Sequence, residues 1–258
     1  PIWSALRSEA AAASKTEAAM SSLLASTILN HETMSSALSY QLARKLGDQE
    51  MPGMSLRDAI EGAYASDPSI VETAEEDLKA VLERDPACEG YVKPFLFYKG
   101  YQALQTHRVA HWLHREGRET LASYLHSRAC EIFHVDINPA AKIGRGVFID
   151  HGTGIVIGET VVVGDDVSIL QGVTLGGTGA ERGDRHPKIG KGVLLTAGAK
   201  VLGPITIGDY AKIAAGSVVL TDVPAGCTAV GVPARLVNCP SAERPAQTMD
   251  QTLPGDFT

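Results

Sequence analysis

The feature that most constrains the fold is a six-residue hydrophobic period between Ile137 and Val223. Glycine often follows the repeated aliphatic residue, and a small or β-branched residue often lies four places after it. Neither a helix nor an alternating strand has this period. It is typical of a parallel β-helix, in which three hexads form one triangular coil of about eighteen residues. The repeated aliphatic residues are Ile137, Ile143, Ile149, Ile157, Val163, Ile169, Leu175, Ile189, Leu195, Val201, Ile207, Ile213 and Val219.

The period is interrupted twice, and both interruptions point to a binding site. Ile149 and Ile157 are eight positions apart, so two extra residues fall within 150–154. Leu175 and Ile189 are fourteen apart, which predicts that residues 176–188 leave the coil as an extended loop. Departures from a regular solenoid usually map to its binding face. The two histidines of the repeat region, His151 and His186, lie in these two interruptions.

The rest of the chain predicts an α+β protein with two domains. Residues 1–134 show helical periodicity with turn signals between segments, so we expect an all-α domain there. The β-helix domain occupies 135–240. Residues 241–258 are rich in Pro, Gln, Thr and Asp, which predicts a flexible C-terminal tail. The predicted helices span 3–29 with interruptions, 34–46, 56–64, 70–83, 94–115 and 119–133.

Composition excludes several classes of function. A net charge of −7 argues against a nucleic-acid partner, which usually binds a basic face. No apolar run approaches the length of a membrane span, and no secretory signal is visible. The four cysteines lack CxxC spacing, so we expect reduced thiols in a cytoplasmic protein. The chain starts at Pro1, so the numbering could omit a few native residues.

Six short motifs together with the helical N-terminal half resemble serine O-acetyltransferase, a hexapeptide-repeat acyltransferase family. The hexads and the exit motif at 231–235 are generic to such acyltransferases. The Asp-His pair, the loop around 184–187 and the long helical domain are more specific. The resemblance covers nearly the whole chain. The motifs lie at 84–87, 135–139, 150–154, 176–179, 184–187 and 231–235.

This resemblance implies a left-handed parallel β-helix and an acetyl-CoA-dependent reaction without a metal. Acetyl would pass to the hydroxyl of L-serine, giving O-acetyl-L-serine and CoA for cysteine biosynthesis. It also implies a trimer through the solenoid, doubled to a hexamer through the helical domain, and feedback inhibition by cysteine at the serine site. Some members bind O-acetylserine sulfhydrylase through a C-terminal isoleucine. This sequence ends in Phe257 and Thr258, which departs from that pattern.

Carried over by motif, His151 is the general base and Asp136 its dyad partner. The residue chemistry agrees, because a serine hydroxyl is a weak nucleophile until a base removes its proton. Histidine titrates near neutral pH, and a carboxylate on its other ring nitrogen fixes the tautomer and stabilises the imidazolium. Asp136 and His151 are fifteen residues apart, close to one coil, so coil stacking can bring them together.

The resemblance assigns four residues to the charged ends of the serine substrate. Asp85 and Asp150 would contact its amino group, and Arg185 and His186 its carboxylate. Arginine suits this role because its guanidinium binds a carboxylate with two parallel hydrogen bonds. On residue chemistry alone, Asp85 and Asp150 could instead form turns, and Arg185 could be a solvated loop charge.

The implied CoA contacts are backbone groups around Gly177, Ala197 and Ala215, with Lys212 nearby. Small side chains leave room for the pantetheine arm, and their amides can bond to it. Lys212 could meet a CoA phosphate or remain solvated.

Other functions remain open from the residues alone. A metal-dependent β-helix hydratase normally needs three histidine ligands, and the repeat region supplies two. The chain could also be a scaffold for a partner enzyme, or it could acetylate a different hydroxyl acceptor. His107, His111 and His114 recur at helical spacing, but we interpret them as structural or solvent-facing.

Overall fold

The computed structural model describes residues 1–179 and 182–253, and it consists of a helical half followed by a β-helix. A 3₁₀ turn at Ala18–Met20 and a π-helical stretch at Ala25–Leu29 flank the second helix. The helices are α1 Ile2–Thr16, α2 Ser21–Leu24, α3 Met34–Leu46, α4 Gly53–Ser66, α5 Ser69–Arg84, α6 Val92–Phe97, α7 Lys99–Arg115, α8 Glu119–Phe133 and α9 Pro245–Thr248.

The predicted order of a helical half and then a β-helix is confirmed. The helix expected over 94–115 is two helices, because Tyr98 adopts an extended conformation between α6 and α7. Across the described ranges, every helix is too short or too polar to cross a bilayer.

Within the described ranges, the β-helix has fifteen short strands that form three sheets. Sheet 1 has the order β1-β4-β7-β10-β13, sheet 2 has β11-β8-β5-β2, and sheet 3 has β15-β14-β12-β9-β6-β3. All neighbouring strands are parallel except β14 and β15, which form an antiparallel hairpin. The strands are β1 Val135–Ile137, β2 Lys142–Ile143, β3 Phe148–Ile149, β4 Ile155–Ile157, β5 Val162–Val163, β6 Ser168–Ile169, β7 Thr174–Gly176, β8 Lys188–Ile189, β9 Leu194–Leu195, β10 Lys200–Leu202, β11 Thr206–Ile207, β12 Lys212–Ile213, β13 Val218–Val219, β14 Thr228–Gly231 and β15 Ala234–Val237.

The hexad residues stack in register and form the interior column of the β-helix. In sheet 3, Ile149 pairs with Ile169, and Ile169 pairs with Leu195. These pairs hold although the first spans the two extra residues and the second spans the long loop. The hexad residues are buried except Ile143, which is half-buried. Both interruptions therefore bulge outward and leave the core stacking intact.

A buried carboxylate joins the helical half to the first coil. Asp77 of α5 is fully buried and accepts two hydrogen bonds from Arg108 of α7, at 2.8 and 3.0 Å. It also accepts the Gln105 side-chain amide and the backbone N–H of Val147, each at 2.9 Å. Arg108 donates further to the carbonyl of Gly144 at 2.8 Å. The middle turns of α5 and α7 are therefore fixed against the solenoid.

The prediction of four reduced cysteines is wrong, because Cys227 and Cys239 form a disulfide. The two cysteines flank the β14–β15 hairpin, whose register pairs Thr228 with Val237 and so brings its ends together. The sequence spacing alone did not reveal this hairpin. Cys88 and Cys130 are free.

The predicted flexible tail instead packs against the solenoid over its described part. Ala246 in α9 is buried beside Leu170 and Leu194, and its carbonyl accepts the Ser168 hydroxyl at 2.8 Å. Further along, the carbonyls of Asp250 and Thr252 accept hydrogen bonds from Lys212. The predicted tail continues through 254–258, which lie outside the described residues.

Replacing Asp77 should destabilise the protein strongly. Asp77→Ala leaves the Arg108 guanidinium buried without its carboxylate, and breaking a buried pair in this way costs about 3–5 kcal/mol. Glu83→Ala on the same helix is the matched control, because Glu83 is exposed and forms a 3.4 Å surface ion pair with Lys79. That change should cost less than about 1 kcal/mol. Equal losses in urea unfolding would contradict this assignment.

Candidate active site

The two interruptions of the period lie at different corners of the triangular coil. Residues 150–154 join β3 of sheet 3 to β4 of sheet 1, and we call the turns on this edge the His151 corner. The long loop joins β7 of sheet 1 to β8 of sheet 2, and we call this edge the loop corner. Sheet 1 therefore separates the two interruptions within one chain.

A cavity of about 610 Å³ opens at the His151 corner, between the helical half and the first coil. Asp85 enters it from the end of α5, and Asp150 and His151 enter it from the turn after β3. Tyr98 and Lys99, around the start of α7, line the same cavity. Asp85 is distant in sequence from Asp150 and His151, yet the three predicted site residues meet in one pocket.

His151 sits at a tight turn that exposes its ring. Its φ is +56°, a left-handed conformation that is uncommon for residues other than glycine. Gly152 follows at φ +79°, and its N–H donates to the Asp150 carbonyl at 2.6 Å. The His151 side chain is 71% exposed, and its Nε2 lies 3.7 Å from Asp150 Oδ1. The imidazole is therefore accessible from the cavity and near a carboxylate.

The carboxylates of Asp85 and Asp150 make the cavity favourable for a cation. Burial raises the pKa of Asp150, and the negative charge of Asp85 raises it further, while His151 opposes the shift. Asp85 also forms the turn considered from the sequence, since its Oδ1 accepts the Ala87 N–H at 2.8 Å. Tyr98 is near Asp85, and burial raises the pKa of its hydroxyl to about 12. A bound ammonium group would relieve the repulsion between the two carboxylates.

Asp136 is not bonded to His151 in this structure. It lies on β1 at the edge of sheet 1, and its Oδ1 accepts a 2.7 Å hydrogen bond from His126 Nε2 of α8. This bond is the main reason that the pKa of His126 rises to about 10. The predicted pairing with His151 therefore differs from the observed contact, because the middle of α8 brings His126 against the carboxylate. Cys130 lies beside this pair.

Arg185 and His186 lie at the loop corner, and neither lines the cavity. Arg185 Nη2 forms a 2.8 Å ion pair with Glu159. His186 is buried, and its Nδ1 accepts the Thr160 N–H at 3.2 Å, so its Nε2 carries the proton in the neutral ring. Burial is the main cause that lowers the pKa of His186. Because His151 is at a different corner, one chain does not assemble a three-histidine metal site from the coils.

Two of the predicted CoA contacts lie on the same edge as His151. The turns of this corner stack through backbone bonds from Gly198 N to Gln171 O at 2.9 Å and from Gly216 N to Ala197 O at 2.8 Å. Ala197 is half-buried and Ala215 is exposed. The corner therefore forms a narrow track of small residues that leads away from the His151 turn.

The other two CoA candidates are placed differently. Gly177 lies at the loop corner, where an added Cβ would be 3.4 Å from the Arg185 carbonyl oxygen. Lys212 is buried on sheet 3, and its ammonium donates to the carbonyls of Asp250 at 3.3 Å and Thr252 at 2.9 Å. The tail therefore covers Lys212 in this conformation.

Several residues that line the cavity were not predicted from the sequence, among them Tyr98, Lys99, Met249 and Gln251. The Lys99 ammonium donates to the Thr153 hydroxyl across the cavity rim. A possible signal was Gly100, where a Cβ would lie 2.2 Å from the Ile149 carbonyl oxygen. Only glycine allows α7 to cross β3 this closely, but in the sequence Gly100 looks like any helical glycine.

Comparisons with known proteins agree over nearly the whole chain. The family model described as serine acetyltransferase, N-terminal, matches residues 2–106, and a bacterial transferase hexapeptide model of six repeats matches 186–221. The serine acetyltransferase of Salmonella typhimurium is 52% identical over 254 residues, covering 98% of this chain and 93% of that protein.

Two solved structures are also similar. A serine acetyltransferase in complex with cysteine matches with a TM-score of 0.97 and 52% identity over 98% of each chain. A serine acetyltransferase in complex with CoA matches with a TM-score of 0.88 and 52% identity, covering 92% of this chain and 98% of that one.

Removing the charge of Asp150 should stabilise the empty protein near neutral pH. Because its pKa is raised on folding, its ionisation weakens the folded state progressively as pH rises above the ordinary aspartate pKa. Asp150→Asn lacks this penalty, so its melting temperature should exceed that of the wild type at pH 7 and converge with it near pH 4. Asp58→Asn, at an exposed helical position, is the control and should show no such trend. The predicted quantity is the melting temperature of Asp150→Asn minus that of the wild type. A smaller difference at pH 7 than at pH 4 would contradict the prediction.

Proposed function

This chain belongs to the serine acetyltransferase family, which transfers acetyl from acetyl-CoA to the hydroxyl of L-serine in cysteine biosynthesis, and we propose that His151 is its general base. The supporting observation is the cavity in which His151 faces Asp85 and Asp150. In this proposal the imidazole removes the hydroxyl proton while the serine oxygen attacks the thioester carbonyl. The carbon–sulfur bond then breaks, and the imidazolium returns a proton to the CoA thiolate. The products are O-acetyl-L-serine and CoA.

Asp85 and Asp150 are proposed to bind the ammonium group of serine. Their carboxylates share one cavity, and the raised pKa of Asp150 reflects both burial and the charge of Asp85. A substrate ammonium between them offsets this repulsion. An uncharged hydroxyl compound does not, so the two carboxylates select against such compounds. The substrate hydroxyl then extends toward His151 on the same turn.

The carboxylate of serine is proposed to meet Arg185 and His186 of a neighbouring subunit. Within one chain these two residues lie across sheet 1 from His151. If three solenoids pack about a threefold axis, the loop corner of one can lie against the His151 corner of the next. Exposed apolar residues at sheet 1, Val156 and Leu220, are consistent with such packing. We propose that residues 1–134 then pair two trimers into a hexamer.

Asp136 remains the proposed partner of His151. It lies on β1, and its neighbour β4 starts immediately after the turn that carries His151. His126 occupies Oδ1, so Oδ2 is the oxygen that would support the imidazolium. The pairing requires the exposed His151 ring to move toward Asp136.

Acetyl-CoA is proposed to run along the His151 corner, with its pantetheine arm on the amides around Ala197 and Ala215 and near Gly177 of a neighbouring subunit. A phosphate reaches Lys212 only when the tail is displaced, because tail carbonyls now hold that ammonium. Cysteine presents the same ammonium and carboxylate groups as serine, which supports the proposal that it inhibits at this site.

We also propose a partner enzyme and a cellular location. In this proposal O-acetylserine sulfhydrylase docks on the C-terminal tail, whose residues 254–258 lie outside the described residues. The cytoplasmic location is also a proposal. The Cys227–Cys239 disulfide counts against it, because such bonds are rare in reducing compartments.

Replacing the base should abolish most turnover without preventing cofactor binding. His151→Ala should lower kcat by roughly 10²- to 10⁴-fold, the usual contribution of a general base. CoA affinity, measured by calorimetry, should change little because the imidazole acts on the acceptor hydroxyl. His114→Ala is the control, since His114 is a partly exposed histidine outside the cavity. A folded His151→Ala enzyme with near-normal serine-dependent release of CoA would exclude this base and direct attention to His186.

A further inference from the structure

A cluster of three metal-binding side chains lies beside the proposed active site. The Nε2 or Nδ1 of His126, the Sγ of Cys130 and a carboxylate oxygen of Asp136 lie within 4.8 Å of one another. All three side chains are partly accessible to solvent. Cys130 carries a free thiol, unlike the disulfide-bonded Cys227 and Cys239.

The local fold explains why these residues meet. His126 and Cys130 are four positions apart on α8, so they project from the same face of the helix one turn apart. The helix ends at Phe133, and His134 adopts a left-handed conformation with φ +55°. This turn starts β1, which places the Asp136 carboxylate against His126. Two ligands on one helical turn and a third from the next strand form a compact chelating site.

We propose that His126, Cys130 and Asp136 bind Zn²⁺ and that its binding inhibits the enzyme. Thiolate and imidazole together favour zinc over magnesium or calcium, which prefer oxygen ligands. Zinc commonly takes three protein ligands and a water in a tetrahedral arrangement. On binding, the Nε2 proton of His126 and the thiol proton of Cys130 pass to solvent, and three metal–ligand bonds form.

Two of the three ligand atoms need to move only slightly to hold a zinc ion. Two nitrogen or oxygen ligands of one tetrahedral zinc lie about 3.3 Å apart, given bonds of about 2.0–2.1 Å. His126 Nε2 and Asp136 Oδ1 are 2.7 Å apart, with a proton between them. They must therefore separate by a few tenths of an ångström to admit the cation. The side chains are 25% and 47% exposed, so neither is locked by packing on all sides.

Inhibition follows because the site captures Asp136. Zn²⁺ neutralises the negative charge of a carboxylate that it binds. Asp136 then no longer stabilises an imidazolium at His151. This zinc is an inhibitor and supplies no chemistry to acetyl transfer. The inhibitory consequence rests on the proposed role of Asp136, whereas the existence of the metal site does not.

Cobalt(II) titration tests the site itself, because Co²⁺ takes zinc sites and reports sulfur ligation by a charge-transfer absorption. The wild-type protein, kept without reductant so that Cys227 and Cys239 stay paired, should bind one Co²⁺ per chain and show this band. Zn²⁺ should displace it. Losing a residue that only hydrogen-bonds a metal ligand weakens metal affinity by about 10–100-fold. His126→Gln removes a direct ligand, so it should weaken Co²⁺ binding at least as much.

Cysteine variants identify the sulfur ligand. Cys130→Ser should lose the charge-transfer band, and Cys88→Ser, which removes the other free thiol, should retain it. Absence of the band in wild type, or its survival in Cys130→Ser, overturns the metal site.

Initial rates then test inhibition, followed by loss of thioester absorbance so that no thiol reagent is present. Each variant is compared with its own metal-free rate. Zn²⁺ should inhibit the wild type reversibly, and Cys130→Ser should need at least about tenfold more Zn²⁺ for the same inhibition. Equal inhibition of both proteins overturns the proposal. If Co²⁺ binds at the three residues but Zn²⁺ does not inhibit, the metal site stands and its link to catalysis through Asp136 is refuted. That outcome does not depend on the His151→Ala result.

Discussion

The proposed active-site cavity depends on the buried contact between Asp77 and the first coil. Asp77 accepts hydrogen bonds from Arg108, Gln105 and Val147, so one carboxylate fixes α5 and α7 against the solenoid. Further along α5, the buried Arg84 donates to the Ser168 hydroxyl at 3.1 Å. This second contact sets the position of Asp85, the next residue. Compared with well-packed apolar residues, a pair this deeply buried contributes little net stability, although removing one partner is costly. Its value here is the register that it imposes between the two halves.

The solenoid then separates the remaining chemistry. Stacked hexads fix sheet 1 as a rigid face, with the turn of His151 on one edge and the loop of Arg185 on the other. Each edge alone offers the groups proposed for one end of an amino-acid substrate. One edge has two carboxylates and the proposed base, and the other has an arginine and a histidine. Assembly of identical chains is the simplest way to bring unlike edges together, because every copy carries both. Oligomerisation is therefore part of the proposed site.

The sequence predicted the features of the fold that follow from the six-residue repeat. The hexad phase specified which aliphatic residues stack, and its interruptions indicated His151 and His186. It could not show that His126 reaches Asp136, because that contact depends on how α8 ends and β1 begins. The Cys227–Cys239 bond was missed for a related reason, since a hairpin register brings the two residues together. Tyr98 and Lys99 enter the cavity only because α7 crosses β3 at Gly100. Contacts between unlike elements left no periodic signal.

Subunit complementation tests the shared site most directly. His151→Ala and Arg185→Ala chains would be assayed alone and after co-assembly from an equal mixture, at serine concentrations below KM. If each site takes His151 from one chain and Arg185 from its neighbour, random co-assembly restores both residues in about a quarter of the sites. The account predicts that the mixture recovers about that fraction of wild-type activity, well above either parent. Activity equal to the mean of the two parents would show that one chain supplies both residues and would contradict the account.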